Sequence, residues 1–131
     1  MSFTRRSTLV AFVALGFAAS VPAFALQMSK YSASALADAQ KAGKPVLVEI
    51  SASWCPTCKA QKPILDRLLS SDKFKSFVTL DMDFDTQKDD VKALKAQMQS
   101  TLIVYKGDKE VGRSAGDTNA ATIEALLAKA L

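Results

Sequence analysis

Histidine is absent from all 131 residues of the sequence, and cysteine occurs only twice, at Cys55 and Cys58. The lack of histidine excludes Cys-His and Ser-His catalytic pairs, histidine-ligated metal sites and haem attachment through a C-x-x-C-H motif. Two cysteines without histidine also fall short of the four ligands that a zinc site takes from one chain. The cysteine pair itself is therefore the main candidate for chemistry.

The sequence also lacks a strong excess of charge of one sign. The 17 basic residues exceed the 13 acidic residues by four, and Arg5 and Arg6 lie in an N-terminal segment that we expect to be removed. Without them, 15 basic residues stand against 13 acidic ones, an excess too small to indicate a basic surface for nucleic acid, so we predict no nucleic-acid partner. Hydrophobic residues make up 49% of the sequence, which is enough to bury the core of one globular domain.

The N-terminus has the features of an export signal. Arg5 and Arg6 precede an apolar stretch at residues 9–19, and the small residues that a signal peptidase requires follow at residues 23–25. We therefore predict that residues 1–25 are a signal peptide.

Cleavage after Ala25 would leave a mature domain of residues 26–131, located in the periplasm or otherwise exported. The alternative is an uncleaved membrane anchor at about residues 7–26, which Pro22 and the cleavage site disfavour. The export route, general or twin-arginine, stays open.

Hydrophobic periodicity predicts the element order α-β-α-β-α-β-β-α, with a weak extra strand at residues 27–30. The near-continuous apolar run at residues 46–51 is typical of a strand that is covered on both faces, and Glu49 interrupts it. Strands that alternate with helices imply a right-handed βαβ unit, followed by a hairpin and a covering helix. The other predicted strands lie at residues 78–84, 101–105 and 110–114. The first predicted helix spans residues 31–43 and the second begins at Cys55. The third contains Val91, Leu94 and Met98, and the last begins after Thr118 or Asn119.

The two cysteines lie where a predicted strand passes into a predicted helix. If the helix begins at Cys55, Cys58 lies one turn further on and the two sulfur atoms face each other as a dithiol that can close. The free N–H groups and the dipole of that first turn should lower the pKa of Cys55. A purely structural disulfide is less attractive, because closing so short a loop stabilises little. Two chains that share four thiolates around zinc, copper or an iron-sulfur cluster remain a further alternative.

With these motifs in this order, the sequence resembles the thioredoxin family over the whole mature region. The matching segments are residues 44–48, 54–59, 63–65 and 101–107, and Gly116 before the last helix. The resemblance implies a thioredoxin-like α/β fold with a central mixed sheet of four or five strands, flanked by helices on both faces. It also implies thiol-disulfide exchange as the activity.

The same resemblance assigns roles to individual residues. Cys55 would be the attacking nucleophile and Cys58 the resolving thiol. Glu49 matches the buried acid that lies beneath the cysteines in the family, and we predict that it transfers a proton near Cys58. The residues that would shape the site are Trp54, Pro56, Thr57 and Lys59.

Two positions depart from the family pattern. Where the family usually has a cis-proline before the strand at residue 101, this sequence has Ser100, which rarely takes a cis peptide. We therefore expect a trans peptide and a differently shaped loop at Gln99, Ser100 and Thr101, the predicted substrate-binding residues. Asp81 stands where reducing members carry a lysine near the buried acid, and two nearby carboxylates should raise the pKa of one of them.

These observations predict an exported thiol-disulfide oxidoreductase that reduces protein disulfides through Cys55 and Cys58, as a monomer with no cofactor and no metal. We favour reduction because the chain has no room for the extra helical domain of the family's dedicated oxidases. A membrane thiol donor is then the implied source of electrons. The alternatives are a metal or iron-sulfur carrier that uses the same dithiol, and a thioredoxin-like binding module without turnover.

Overall fold

The computed structural model describes residues 28–131. The predicted signal peptide, residues 1–25, lies outside the described residues, as does the first residue of the predicted strand at 27–30. Within the described residues, no helix combines the length and the apolar character needed to cross a membrane.

Residues 28–131 form five strands and four helices in the predicted order, with the weak first strand present. The side chain of Ser32 caps the first helix by accepting the Ala35 N–H, and that of Asn119 caps the last helix by accepting two N–H groups. The elements are β1 (Met28–Lys30), α1 (Ala33–Lys41), β2 (Pro45–Ser51), α2 (Pro56–Leu69), β3 (Val78–Asp83), α3 (Lys88–Ala93), β4 (Thr101–Lys106), β5 (Lys109–Ala115) and α4 (Ala120–Ala128).

The strands form one mixed sheet in the order β1-β3-β2-β4-β5. Strand β3 pairs parallel with β1 and with β2, whereas β4 pairs antiparallel with β2 and with β5. The central place of β2 follows from its apolar composition, because only a strand covered on both faces can bury nearly every side chain. The five-stranded mixed sheet confirms the predicted architecture.

Successive residues of β2 point into two separate core layers. Val46, Val48 and Ile50 pack on the face that α1 and α3 cover, and Leu47 packs on the face that α2 and α4 cover. Glu49 shares the parity of Leu47, so its carboxyl points toward α2 at the strand end from which the cysteine loop leaves. This alternation places an acid beneath the first turn of α2.

Helix α3 ends earlier than its hydrophobic pattern predicts. Val91 is buried within the helix, but Leu94 is its C-cap and Met98 lies outside it, 41% exposed. The chain reverses at Lys95, which has a φ of 55°, and the Ala96 N–H donates to the Val91 carbonyl at 3.0 Å. This hydrogen-bonded reversal is the physical reason for the short helix.

Candidate active site

The two cysteines form a disulfide at the N-terminus of α2. Cys55 is the N-cap, Cys58 lies in the first turn, and their Cα atoms are 5.3 Å apart. Pro56 begins the helix, where its missing N–H costs nothing and its fixed φ suits the first helical position. Cys55 Sγ accepts the Cys58 N–H at 3.0 Å. In the reduced protein, this N–H and the positive end of the helix dipole favour a thiolate on Cys55.

Both cysteines are largely covered in the disulfide form. Cys55 is 1% exposed and Cys58 is 6% exposed, and the two pack with Ala52 against the ring of Phe84. Exposure alone therefore does not distinguish the attacking sulfur from the resolving one. The distinction rests on the helix position, because Cys55 accepts the capping hydrogen bond.

Trp54 is the large exposed side chain beside the disulfide, with 55% of its surface accessible. Its indole N–H donates to Asp85 Oδ2 at 2.7 Å, which fixes the ring at the surface. Pro56 and Lys59 are exposed and Thr57 is half-buried, so the four predicted site-shaping residues border the disulfide on the solvent side. Sequence reasoning missed Asp85, because a contact across 31 positions leaves no local signal.

Glu49 is a buried carboxyl directly below this site. It is 8% exposed, and burial, followed by the negative charge of Asp81, raises its pKa from 4.5 to about 7. Asp81 stands next to Glu49 in the β2-β3 register, and the Ser51 hydroxyl donates to Asp81 Oδ1 at 2.9 Å. The rise in the pKa of Glu49 agrees with the expectation for two nearby carboxylates, with burial as the larger cause and the charge of Asp81 as the second.

A cavity of about 290 Å³ joins Glu49 to the rear of the disulfide. Glu49, Cys58, Lys59, Lys62 and Asp81 are among its lining residues. Because Cys58 lines this cavity and Cys55 does not, Cys58 is the sulfur that can exchange a proton with Glu49 through it. Within residues 28–131, no group of three or more cysteine, histidine or acidic side chains is arranged to hold a metal ion.

The Ser100 loop lies next to the end of β2, because Thr101 stands opposite Ile50 in the sheet register. All peptide bonds of the described residues are trans, as expected for Ser100, whose φ of 56° lies in the left-handed region. Ser100 is 1% exposed, and its hydroxyl donates to the Gln99 carbonyl at 2.6 Å. The Thr101 hydroxyl donates to the Met98 carbonyl at 2.7 Å. The three predicted substrate-binding residues therefore form a tight, internally hydrogen-bonded turn.

Gln61 fastens this loop to α2. Its side chain is fully buried, and Nε2 donates to the Ser100 carbonyl at 3.2 Å and to the Asp117 carbonyl at 2.8 Å. Both partners are acceptors, so the amide nitrogen must be the atom that faces them. Sequence reasoning missed Gln61, although its spacing from Cys58 and Leu65 places it on the same buried stripe of the helix.

In a comparison with protein families, the thioredoxin model matches residues 26–129. Thioredoxin-2 of Saccharomyces cerevisiae is 39% identical over 85 residues, which cover 63% of this chain and 78% of the yeast protein. Thioredoxin Asp f 29 of Aspergillus fumigatus is 31% identical over 88 residues, which cover 67% of this chain and 79% of the fungal protein.

Solved structures show the same similarity. The crystal structure of Trxlp from Edwardsiella tarda EIB202 superposes with a TM-score of 0.74 at 37% identity, covering 76% of this chain and 97% of that chain. Thioredoxin NaTrxh from Nicotiana alata superposes with a TM-score of 0.68 at 21% identity, covering 79% of this chain and 91% of that chain, which shows the fold alone. These neighbours confirm the thioredoxin-like fold that the sequence resemblance implies.

Proposed function

Because this chain belongs to the thioredoxin family, we propose that it is an exported oxidoreductase that reduces disulfide bonds in other proteins. Thiol-disulfide exchange is the activity of the family, and the cysteine pair for it lies at disulfide distance. The observation that carries the proposal is the Cys55 sulfur at the cap of α2, hydrogen-bonded to the Cys58 N–H. This position stabilises a thiolate, which is the attacking species in the exchange.

The reaction takes two steps. Cys55 thiolate attacks one sulfur of the substrate disulfide, forms a mixed disulfide and expels the other substrate sulfur as a thiolate. Cys58 then loses its proton and attacks the Cys55 sulfur, which releases the second substrate thiolate and leaves the Cys55–Cys58 disulfide. Two electrons pass from the dithiol to the substrate.

Glu49 is the proposed proton acceptor for the second step. Its pKa of about 7 lets it take a proton from Cys58 and return it to solvent near neutral pH. The cavity that both residues line supports this role. Glu49→Gln should slow the release of substrate from the mixed disulfide while the first attack continues.

The N-terminal segment supports export. Arg5, Arg6, the apolar stretch and the small residues ending at Ala25 have the order of a secretory signal. N-terminal sequencing of the protein from its native host should find Leu26 as the first residue. A first residue at Met1, with the protein retained in the cytoplasm, would overturn the proposal of export.

Reduction outside the cytoplasm needs a supply of electrons. We propose that a membrane thiol donor provides them and reduces the Cys55–Cys58 disulfide after each turnover. The direction is measurable as the reduction potential of the couple in glutathione buffers. A potential near the thioredoxin value of about −270 mV supports a reductant, and one near the strong-oxidant value of about −120 mV supports a disulfide donor.

Insulin reduction with dithiothreitol as the electron donor tests the activity itself. We expect turnover for the wild type, none for Cys55→Ser, and little change for Lys41→Ala, a matched surface substitution at the far end of the sheet. Two results together would show a metal carrier instead of a reductase. The wild type would give no turnover, and it would purify with stoichiometric metal that is lost when either cysteine is substituted.

A further inference from the structure

A surface groove of about 540 Å³ lies between the end of β3 and α3, a volume within the range of ligand-binding clefts. Its apolar lining is buried or half-buried, whereas the basic residues around it are exposed. We call this surface the lysine groove. Its apolar floor is formed by Phe84, Val91 and Ala96, and its rim by Lys88, Lys92 and Lys95.

The lysine groove adjoins the active site at one side chain. Phe84, part of its floor, also packs against the cluster of Ala52, Cys55 and Cys58. A polypeptide whose cystine reaches Cys55 can therefore lay the residues next to that cystine in the groove. Phe84 is thus the side chain that links the groove to the disulfide.

The positive charge of the rim is not neutralised by ion pairs. Among the described residues, none of the three rim lysines takes part in a salt bridge. Glu110, an acid whose pKa Lys95 helps to lower, is already held by Arg113, with Nη2 to Oε2 at 2.8 Å. The lysine charges are therefore available to a ligand.

The acidic residues near α3 lie outside the lysine groove. A separate depression carries the aspartates, and it borders the lysine groove only at Lys88. Lys92 and Lys95 line the groove and not that depression, so they should contribute most of its positive potential. The aspartates of the separate depression are Asp85, Asp89 and Asp90.

Lys95 occupies a backbone conformation that favours glycine, with a φ of 55°. Arg113 donates from Nη2 to the Leu94 carbonyl at 3.1 Å and from Nη1 to the Lys95 carbonyl at 3.2 Å. These two hydrogen bonds hold the end of α3 against β5. A long cationic side chain is thus presented at the groove from a fixed backbone.

We propose that the lysine groove selects disulfide substrates with acidic residues next to the reactive cystine. The inference rests on the proposed reductase function and specifies its substrate class. The apolar floor takes an apolar side chain or stem, and the rim lysines attract carboxylates. The exchange chemistry at Cys55 is unchanged, since the groove acts on binding and orientation.

Three synthetic peptides with one internal cystine, which differ only in the two residues flanking it, test the proposal. The flanks are two aspartates, two asparagines or two lysines, and kcat/KM is measured with dithiothreitol as the donor. We expect the wild type to prefer the aspartate peptide over the lysine peptide by about tenfold at low ionic strength. The preference should fall as salt is added, because these charges are solvent-exposed.

The Lys92→Glu/Lys95→Glu double variant reverses the two main rim charges. The Lys41→Glu/Lys109→Glu variant is the matched control, since it makes the same change in net charge at the other end of the sheet. We expect kcat/KM for the aspartate peptide to fall about two- to fivefold for each rim charge reversed, and kcat/KM for the asparagine peptide to change little. Reduction of each variant's own disulfide by dithiothreitol, followed by the fluorescence of Trp54, reports on an intact site.

A preference for the aspartate peptide that disappears in the rim variant and persists in the control supports the proposal. Equal rates on all three peptides, or a preference that survives the rim variant, would overturn it while leaving the reductase function intact. Failure to reduce any of the peptides would overturn the reductase function and this inference with it.

Discussion

At the scale of the residue, Glu49 shows how one buried carboxyl is tuned for proton transfer. Burial removes water from the carboxylate, and Asp81 adds a second negative charge beside it, so the neutral form is favoured up to a pH of about 7. Ser51 donates to Asp81 and keeps that second charge in place. A group with this pKa is half protonated near pH 7, which suits a residue that must both accept and release a proton.

The raised pKa of Glu49 predicts a pH-dependent stability. Between pH 4.5 and 7 the folded state binds more protons than the unfolded state, so the free energy of unfolding falls as pH rises through this range. A shift of this size is worth about 3 kcal/mol, which Glu49→Gln should remove. Urea unfolding of the oxidised wild type and of Glu49→Gln at pH 4.5, 6 and 8 measures this pH dependence of the free energy of unfolding.

The free energy of unfolding of Glu49→Gln should rise relative to that of the wild type as pH increases. If the two proteins show the same dependence of stability on pH, Glu49 has an ordinary pKa. Asp81→Asn is the companion variant, because it keeps Glu49 but removes the second negative charge. We expect it to move the fall in stability to lower pH.

Gln61 supports the substrate loop, and Gln61→Met removes both of its hydrogen bonds while keeping the volume. The carbonyl of Asp117 then loses a donor, and that of Ser100 keeps only the Gly116 N–H. We expect a loss of about 1–3 kcal/mol in urea unfolding and a higher KM for insulin. Reduction of the protein's own disulfide by dithiothreitol should change little.

Ser114→Ala is the matched control for Gln61→Met. The Ser114 hydroxyl is also buried but has no hydrogen-bond partner among the described residues, so its removal should be neutral or stabilising. An unchanged KM in Gln61→Met would show that the Ser100 loop keeps its shape without this side chain.

Single residues differ in how well sequence predicts them. Glu49 is visible because a charge interrupts an apolar strand, and the cysteines because their spacing fits one helical turn. Gln61 is not, because a glutamine in a helix is ordinarily solvated and its loop partners lie 39 and 56 positions away. Trp54 is predicted at the site, but its partner Asp85 depends on how two loops meet in space.

At the scale of the element, the end of α3 is held in a conformation that suits glycine better than lysine. The Lys95 N–H donates to Lys92 and the Ala96 N–H to Val91, the hydrogen bonds of a Schellman motif with Lys95 at its left-handed position. A side chain there is strained by contact with the backbone. The element gives up some stability to place a cation at the lysine groove.

Lys95→Gly should therefore stabilise the protein, by up to about 1 kcal/mol in urea unfolding. The same variant should lose part of the preference for acidic peptides. Ala96→Gly is the control, since its φ is not positive and glycine only adds freedom to the unfolded chain, so it should destabilise. A destabilised Lys95→Gly variant would contradict this account of the helix end.

The elements themselves are predictable because each carries a clear hydrophobic period and recognisable ends. The sequence offers Ser32 or Ser34 and Thr118 or Asn119 as helix caps, of which the structure uses Ser32 and Asn119. The turn at Gly107 marks the hairpin of β4 and β5. The extent of α3 is not predictable in this way. Leu94 and Met98 continue the helical spacing, and only the reversal at Lys95 separates them from the helix.

At the scale of the whole molecule, the sheet order brings the site together. The parallel pairing of β2 with β3 follows from the right-handed βαβ rule, but local sequence does not fix the places of β1 and β4. Those places depend on packing across the sheet, and the order of the strands was not part of the prediction from sequence. Antiparallel pairing of β4 with β2 brings the Ser100 loop to the end of β2 from which the cysteine loop leaves, although the two loops are distant in sequence.

The central claim is that Cys55 is the sulfur that attacks substrate and Cys58 the one that releases it. Reduced Cys58→Ser protein mixed with insulin under nonreducing conditions tests this most directly, with Cys55→Ser as the counterpart. We predict that Cys58→Ser accumulates a mixed disulfide between Cys55 and an insulin chain, identified by mass spectrometry, whereas Cys55→Ser traps little. Trapping by Cys55→Ser alone, or by neither variant, would contradict the account.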